Sequence, residues 1–197
     1  MTASAEQIKK LRELTGAGVL DAKRTLEQYA GDFDKALAVL KEKGLKAAEK
    51  KAERIAKQGL IETYVHGGGK IGVIVEVNCE TDFVAATNEF RKLAHDIALQ
   101  IAAAKPLYVS VDDIPAEVLA AHKKIFADAA VAEGKPANIV EKIVQGKTEA
   151  FLKEAVLLRQ PFIRDDQQTI QDLVQSIVAI LGEKIVVKRF ARFELGQ

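Results

Sequence analysis

The sequence predicts an α+β fold: an N-terminal three-helix unit, then a small antiparallel three-stranded sheet with packed helices. Three observations predict it. Apolar residues recur at helical spacing through residues 4–44, interrupted by Gly16, Gly18 and Gly31. Two runs with a period of two flank Gly67-Gly68-Gly69-Lys70, as the strands of a hairpin do. The chain closes on Ile185 to Leu195, a run rich in β-branched and aromatic residues that can pair with the hairpin.

Ser4 followed by Gln7 forms a capping box for a first helix with Ile8, Leu11 and Leu14 on one face. Thr15 to Gly18 breaks it. The second helix carries Leu20, Leu26 and Tyr29 and stops at Gly31. Asp32 caps a third, with Phe33, Ala36, Leu37 and Leu40 inward and Gly44 as the expected stop. Residues 46–57 are polar and helix-favouring, and read as a solvated helical linker laced by pairs such as Glu53 with Lys57. A basic contact surface is the rival reading. The expected division is therefore a helical domain over 1–45, a linker over 46–57 and an α+β core over 58–197.

From Gly59 the period changes. Leu60 to His66 and Ile71 to Cys79 read as strands, the second with Ile71, Val73, Val75, Val77 and Cys79 on one face. A helix with Phe90, Leu93, Ala94, Ile97 and Ile101 follows, with Thr87 as its N-cap. Between them, Thr81-Asp82-Phe83-Val84 is expected to be a short connector carrying a carboxylate beside a large aromatic. An aromatic at such a tip either folds back onto the core or reaches into a partner.

Pro106 to Ile114 reads as irregular. Pro115 and Pro136 each start a helix, the first with Val118, Leu119, Ile125 and Phe126, the second with Ile139, Ile143, Phe151 and Leu152 and a weak point at Gly146. Gln160 to Ile163 is extended, because the residue before a proline avoids helix. Thr169 with Asp172 caps a last helix bearing Ile170, Leu173, Val174, Ile177 and Leu181, ended by Gly182.

With 48% apolar and 29% charged residues, the composition is that of an ordinary globular protein. Net charge is +1, but residues 1–57 hold 13 basic against 9 acidic residues and the remainder 16 against 19. That asymmetry permits contact with nucleic acid or an acidic protein without requiring either. Cys79 is the single cysteine, so no intramolecular disulfide forms, and its place on the apolar strand face marks it as a small buried hydrophobe. The N-terminus has no apolar signal core, and no apolar run approaches the roughly 20 residues of a membrane span. A cytoplasmic protein without membrane contact is expected.

Gly67-Gly68-Gly69-Lys70 is followed by a strand, so it is a turn and not a phosphate-binding loop, which opens a helix. Gly16-Ala17-Gly18 lacks the third glycine and the preceding strand of a dinucleotide fingerprint. His66, His95 and His122 have no metal-ligand spacing. No catalytic residue, metal or cofactor is expected.

Four motifs in register carry a resemblance: Leu11 to Gly18, Gly31-Asp32, Asn78 to Ala85 (NCETDFVA) and Arg192 to Gly196. Together, over essentially the whole chain, they resemble the elongation factor Ts family. The resemblance implies a nucleotide-exchange factor, not an enzyme, that binds elongation factor Tu in its GDP-bound and nucleotide-free states. It implies a ubiquitin-associated-like N-terminal domain that docks on the partner's GTPase domain, with Leu14, Thr15, Gly16, Ala17 and Gly18 as docking residues. Thr81, Asp82, Phe83 and Val84 would then disturb the partner's Mg²⁺ site, the aromatic acting as a wedge. The short chain, without the second core unit and coiled-coil insertion of longer members, implies a homodimer. No direct nucleic-acid contact is implied; a nucleic-acid or ribosome-binding module using the basic N-terminal region is the alternative.

Overall fold

The capping box at Ser4 forms as its spacing predicts: Gln7 N donates to Ser4 Oγ at 3.1 Å and Ser4 N to Gln7 Oε1 at 3.2 Å. It opens α1 (Ala5–Thr15), followed by α2 (Val19–Gln28) and α3 (Phe33–Glu49). The computed structural model describes residues 3–49, 51 and 53–196. Leu11, Ala22, Leu26, Ala36 and Leu40 form the core of this helical unit, with Ile8, Phe33 and Leu37 packed around them. Asp32 caps α3 by accepting from Lys35 N at 3.1 Å.

Gly44 does not end α3. The helix runs on to Glu49, and a β-carbon on Gly44 would lie 3.9 Å from Ala179 Cβ, so the glycine marks a helix crossing. The linker is correspondingly shorter and less helical than expected: Lys51, Glu53 and Arg54 lie in turns and a bend and 55–57 are irregular, while Lys50 and Ala52 lie outside the described residues.

β1 (Gln58–His66) and β2 (Ile71–Cys79) form the expected hairpin, and β5 (Val186–Glu194) pairs antiparallel with β2 to give the order β1-β2-β5. One face of β2 presents Val73, Val75, Val77 and Cys79, all buried, against Phe90, Leu93, Ala94, Ile97 and Ile101 of α5 (Asn88–Ala104). Helix α8 (Ile170–Leu181), opened by the Thr169–Asp172 capping box, completes this core with Ile170, Val174 and Val178. The opposite sheet face, with Ile61, Val65, Ile74 and Phe193, is exposed. The helices thus lie on one side of the sheet.

Arg192 reaches past the sheet edge and donates from Nε and Nη2 to Ala102 O near the end of α5, at 3.3 and 3.2 Å. Glu194 joins it, with Oε2 2.7 Å from Arg192 Nη2 and 2.8 Å from Lys105 Nζ. These contacts tie the last strand to the C-terminus of α5. The Lys105 and Arg192 cations hold the Glu194 carboxyl below its ordinary range.

Two features depart from expectation. Residues 106–114 are ordered by a parallel bridge between Tyr108 and Val156 and a short 3-10 turn at Val111–Asp113. Asp165–Thr169 is a strand, β4, paired with β3 (Pro161–Phe162) in a small second hairpin. The helices expected from Pro115 and Pro136 form as α6 (Ala116–Ala132) and α7 (Ala137–Ala155), and they pair into a two-helix arm. Helix α7 runs through Gly146, and the arm is rooted by Ile114, Leu152 and Val156. The one-turn α4 (Asp82–Ala85) belongs to the candidate site below. No helix among the described residues is long and apolar enough to cross a membrane.

Two stability predictions follow from this packing. Gly59 has φ 142, and a β-carbon there would sit 2.7 Å from Asn78 Cα and press on Val77 O. Gly59→Ala should cost roughly 2–5 kcal/mol, combining backbone strain with overpacking, as measured by urea unfolding. An unchanged midpoint would contradict the pairing of β1 on β2. For Glu194, a depressed carboxyl contributes stability that is present above its unfolded pKa and lost as pH falls through the folded value. Glu194→Gln should therefore be less stable than the native chain at neutral pH but lose less between about pH 5 and pH 3, in urea titrations at stepped pH.

Candidate partner-binding turn

Strand β2 ends at Cys79, whose thiol donates to Thr81 O at 3.0 Å. Burial, and then the nearby Glu183 carboxylate, push that thiol up, which leaves it a packing group and not a nucleophile. Thr81 is extended (φ −126, ψ 155), and its Oγ1 accepts from Val84 N at 3.3 Å. The expected connector is thus a capped single helical turn, α4. A second cap follows at once: Thr87 Oγ1 accepts from Phe90 N at 3.3 Å and donates to Val84 O at 2.7 Å. Two threonine caps in seven positions leave the backbone little freedom.

Successive helical residues point about 100° apart. Val84 packs against the main core, and Phe83 beside it stands 82% exposed. Of the two fates open to the aromatic, the structure realises the outward one. Asp82 is exposed and, with Gly59, Leu60, Ile61, Glu62, and Arg91, borders a shallow groove of about 430 Å³.

The turn is also held from a distant part of the chain, which sequence reading did not find. Glu183, in the loop between α8 and β5, accepts from Glu80 N at 3.1 Å, Thr81 N at 3.0 Å and Thr81 Oγ1 at 2.6 Å. Glu80 reciprocates by accepting from Lys184 N at 2.6 Å and from Arg54 Nη1 at 3.3 Å. The Lys184 amide, then Arg54, hold the Glu80 carboxyl below its usual range. Lys184 Nζ in turn donates to Arg54 O at 2.9 Å.

The second predicted group, Leu14 to Gly18, is not brought near this turn as a single surface. Thr15 is buried and its hydroxyl donates to Leu11 O at 2.6 Å. Gly16 is the left-handed C-cap of α1, and a β-carbon there would lie 2.6 Å from Ile180 Cγ1 of α8. Ala17 packs on the helical core, Gly18 precedes α2, and Leu14 is partly exposed beside a crevice shared with α8. The most exposed apolar side chains nearby are Val19 and Leu20 at the start of α2.

No group of three or more His, Cys, Asp or Glu among the described residues could hold a metal ion. The histidines are engaged in packing: His66 Nδ1 meets Tyr64 Oη at 2.9 Å, His95 Nδ1 meets Glu62 at 3.0 Å, and His122 stacks on Phe151.

A family model described as "Elongation factor TS" matches residues 2–197. The chain is similar to proteins named "Elongation factor Ts" from several bacteria. It is 56% identical to that of Coprothermobacter proteolyticus over 197 residues, covering all of both chains. It is 55% identical over 194 residues, 98% of this chain, to those of Carboxydothermus hydrogenoformans and Caldanaerobacter subterraneus, covering 89% and 97% of their lengths. A family match over residues 2–197 and relatives more than half identical over nearly the whole chain leave one conclusion: the chain belongs to the elongation factor Ts family of translation elongation factors.

Proposed function

We propose that this protein binds elongation factor Tu carrying GDP and promotes exchange of GDP for GTP by disturbing the partner's Mg²⁺ and phosphate site. It would act in the cytoplasm, as an exchange factor and not as an enzyme. The observation that carries this reading is the ring of Phe83, held outward on a turn that is capped at both ends. A bound Mg²⁺ is the largest local positive charge around nucleotide phosphates, so shifting its ligands loosens GDP without any contact to the nucleotide. Coupling is reciprocal: whatever weakens GDP is weakened by GDP to the same extent, so the nucleotide-free partner binds tightest and GTP entry releases the factor. Asp82 serves as a polar contact beside the ring; a lone carboxylate is a poor Mg²⁺ chelate.

Residues 1–45 form the docking unit in this reading, 46–57 the linker and 58–197 the exchange and dimerisation core. Thr15 and Gly16 shape the α1–α2 turn and its seat on α8, and Leu14 with Val19 and Leu20 offers the apolar contact to the GTPase domain. The basic-surface alternative gains nothing from the geometry, since Lys46 pairs with Glu42 and Arg54 with Glu80.

Fluorescent GDP release from elongation factor Tu tests the wedge. Phe83→Ala should slow accelerated release by roughly tenfold or more, as loss of an aromatic anchor does, while melting stays nearly unchanged because the ring is exposed. Asp82→Ala should have the smaller effect. A Phe83→Ala chain that melts far lower yet exchanges normally would return the residue to the core.

We place the homodimer contact on the outer sheet face, where Ile61, Val65, Ile74, Phe193 and Leu195 are exposed and Ile61 lies beside Glu76 of the Glu76–Arg189 pair. This face offers exposed apolar side chains and a charge pair that is neutral overall, so a second copy can meet it isologously. Light scattering should give twice the 21.4 kDa chain mass, and Phe193→Glu should give the monomer. A native chain that is monomeric at micromolar concentration would sink the dimer.

A further inference from the structure

We infer that Glu183 is a positioning residue for exchange: it presets the Thr81–Val84 turn so that Phe83 meets the partner already oriented. This rests on the reading of Phe83 as the wedge. The Glu183 carboxylate takes three donors from the two residues that lead into α4: the amides of Glu80 and Thr81 and the Thr81 hydroxyl. The same hydroxyl oxygen caps α4 through Val84 N, so the carboxylate fixes the cap itself. Glu80 returns the contact to the Lys184 amide, which makes the clasp two-sided. Arg54 reaches the same segment through the Glu80 carboxylate, but it is Glu183 that bonds Thr81, the residue that caps α4.

The clasp also gives the helical unit a route to the turn. Glu183 follows directly on α8 and its cap at Gly182, and α8 carries the Ile180 and Ala179 contacts to Gly16 and Gly44. The element that seats the docking unit therefore ends in the carboxylate that seats the wedge. Preorganisation removes an ordering cost from whichever step needs the ordered turn; with docking carried by the helical unit and the ring engaging only in the exchange step, the gain falls on the maximal rate.

The test uses the full-length chain with Glu183→Ala, Glu183→Gln and Thr81→Val, each melted and then titrated into elongation factor Tu loaded with fluorescent GDP. Glu183→Ala should lower the maximal release rate about tenfold, with the half-saturating concentration little changed. Glu183→Gln, which keeps an acceptor for the two amides, should recover most of the rate, and Thr81→Val should resemble Glu183→Ala. The Phe83→Ala/Glu183→Ala double variant should be no slower than Phe83→Ala alone. Amide hydrogen exchange of the free chain should show faster exchange at Thr81 to Val84 in Glu183→Ala and unchanged protection in α5. A normal maximal rate in a folded Glu183→Ala chain, or a defect confined to half-saturation, would overturn the proposal. If the native chain itself failed to accelerate release, the exchange reading would fall, and unchanged protection at Thr81 to Val84 in Glu183→Ala would overturn the positioning role separately.

Discussion

The packing of β2 on α5 is the constraint from which the remaining geometry follows. Val73, Val75, Val77 and Cys79 must all face Phe90, Leu93, Ile97 and Ile101, because a one-residue slip would turn every one of them into water. Each such burial is worth about 1.5–3 kcal/mol, so the pair dominates the local energetics. The chain between them has only residues 80–87 in which to leave the sheet and enter the helix. It does so with two threonine caps and a single helical turn. Once Val84 is committed to the core, Phe83 has nowhere to go but outward. Leaving one ring in water forfeits a burial of the same order as a single core residue, a loss the many contacts behind it absorb.

Hydrogen bonds then set the precision of that turn. The Arg54–Glu80 pair is half-exposed on its arginine side, which limits what it adds by itself. The half-buried Glu183 carboxylate is different, since bonds to a charged acceptor are worth about 1.5–3 kcal/mol and here three donors converge on one side chain. Helix α8 belongs to both halves of the molecule, packing on α3 and α5 and ending at this carboxylate. The helical unit is thereby joined to the core through a packed surface and not only through the linker.

What was legible in the sequence was local. Capping at Ser4, Asp32, Thr87 and Thr169 depends on residues three apart, and the hairpin announces itself through three consecutive glycines between alternating runs. The Asn78 to Ala85 motif was legible as the candidate site. Errors arose where a distant partner decides. Gly44 resembles a helix stop until Ala179 is seen opposite it. β4 is polar along its whole length and gives no alternation to read. Glu183 lies 102 residues from Thr81, with nothing in its neighbourhood to link the two.

The central claim is that Phe83 is exposed in the free chain and buried in the partner. Placing 4-fluorophenylalanine at position 83 and recording the fluorine resonance in H₂O and D₂O measures this directly. A solvent isotope shift characteristic of an exposed ring should be present in the free chain and disappear on binding nucleotide-free elongation factor Tu. A shift that persists unchanged in the saturated complex would contradict the account, because the ring would then enter no partner surface.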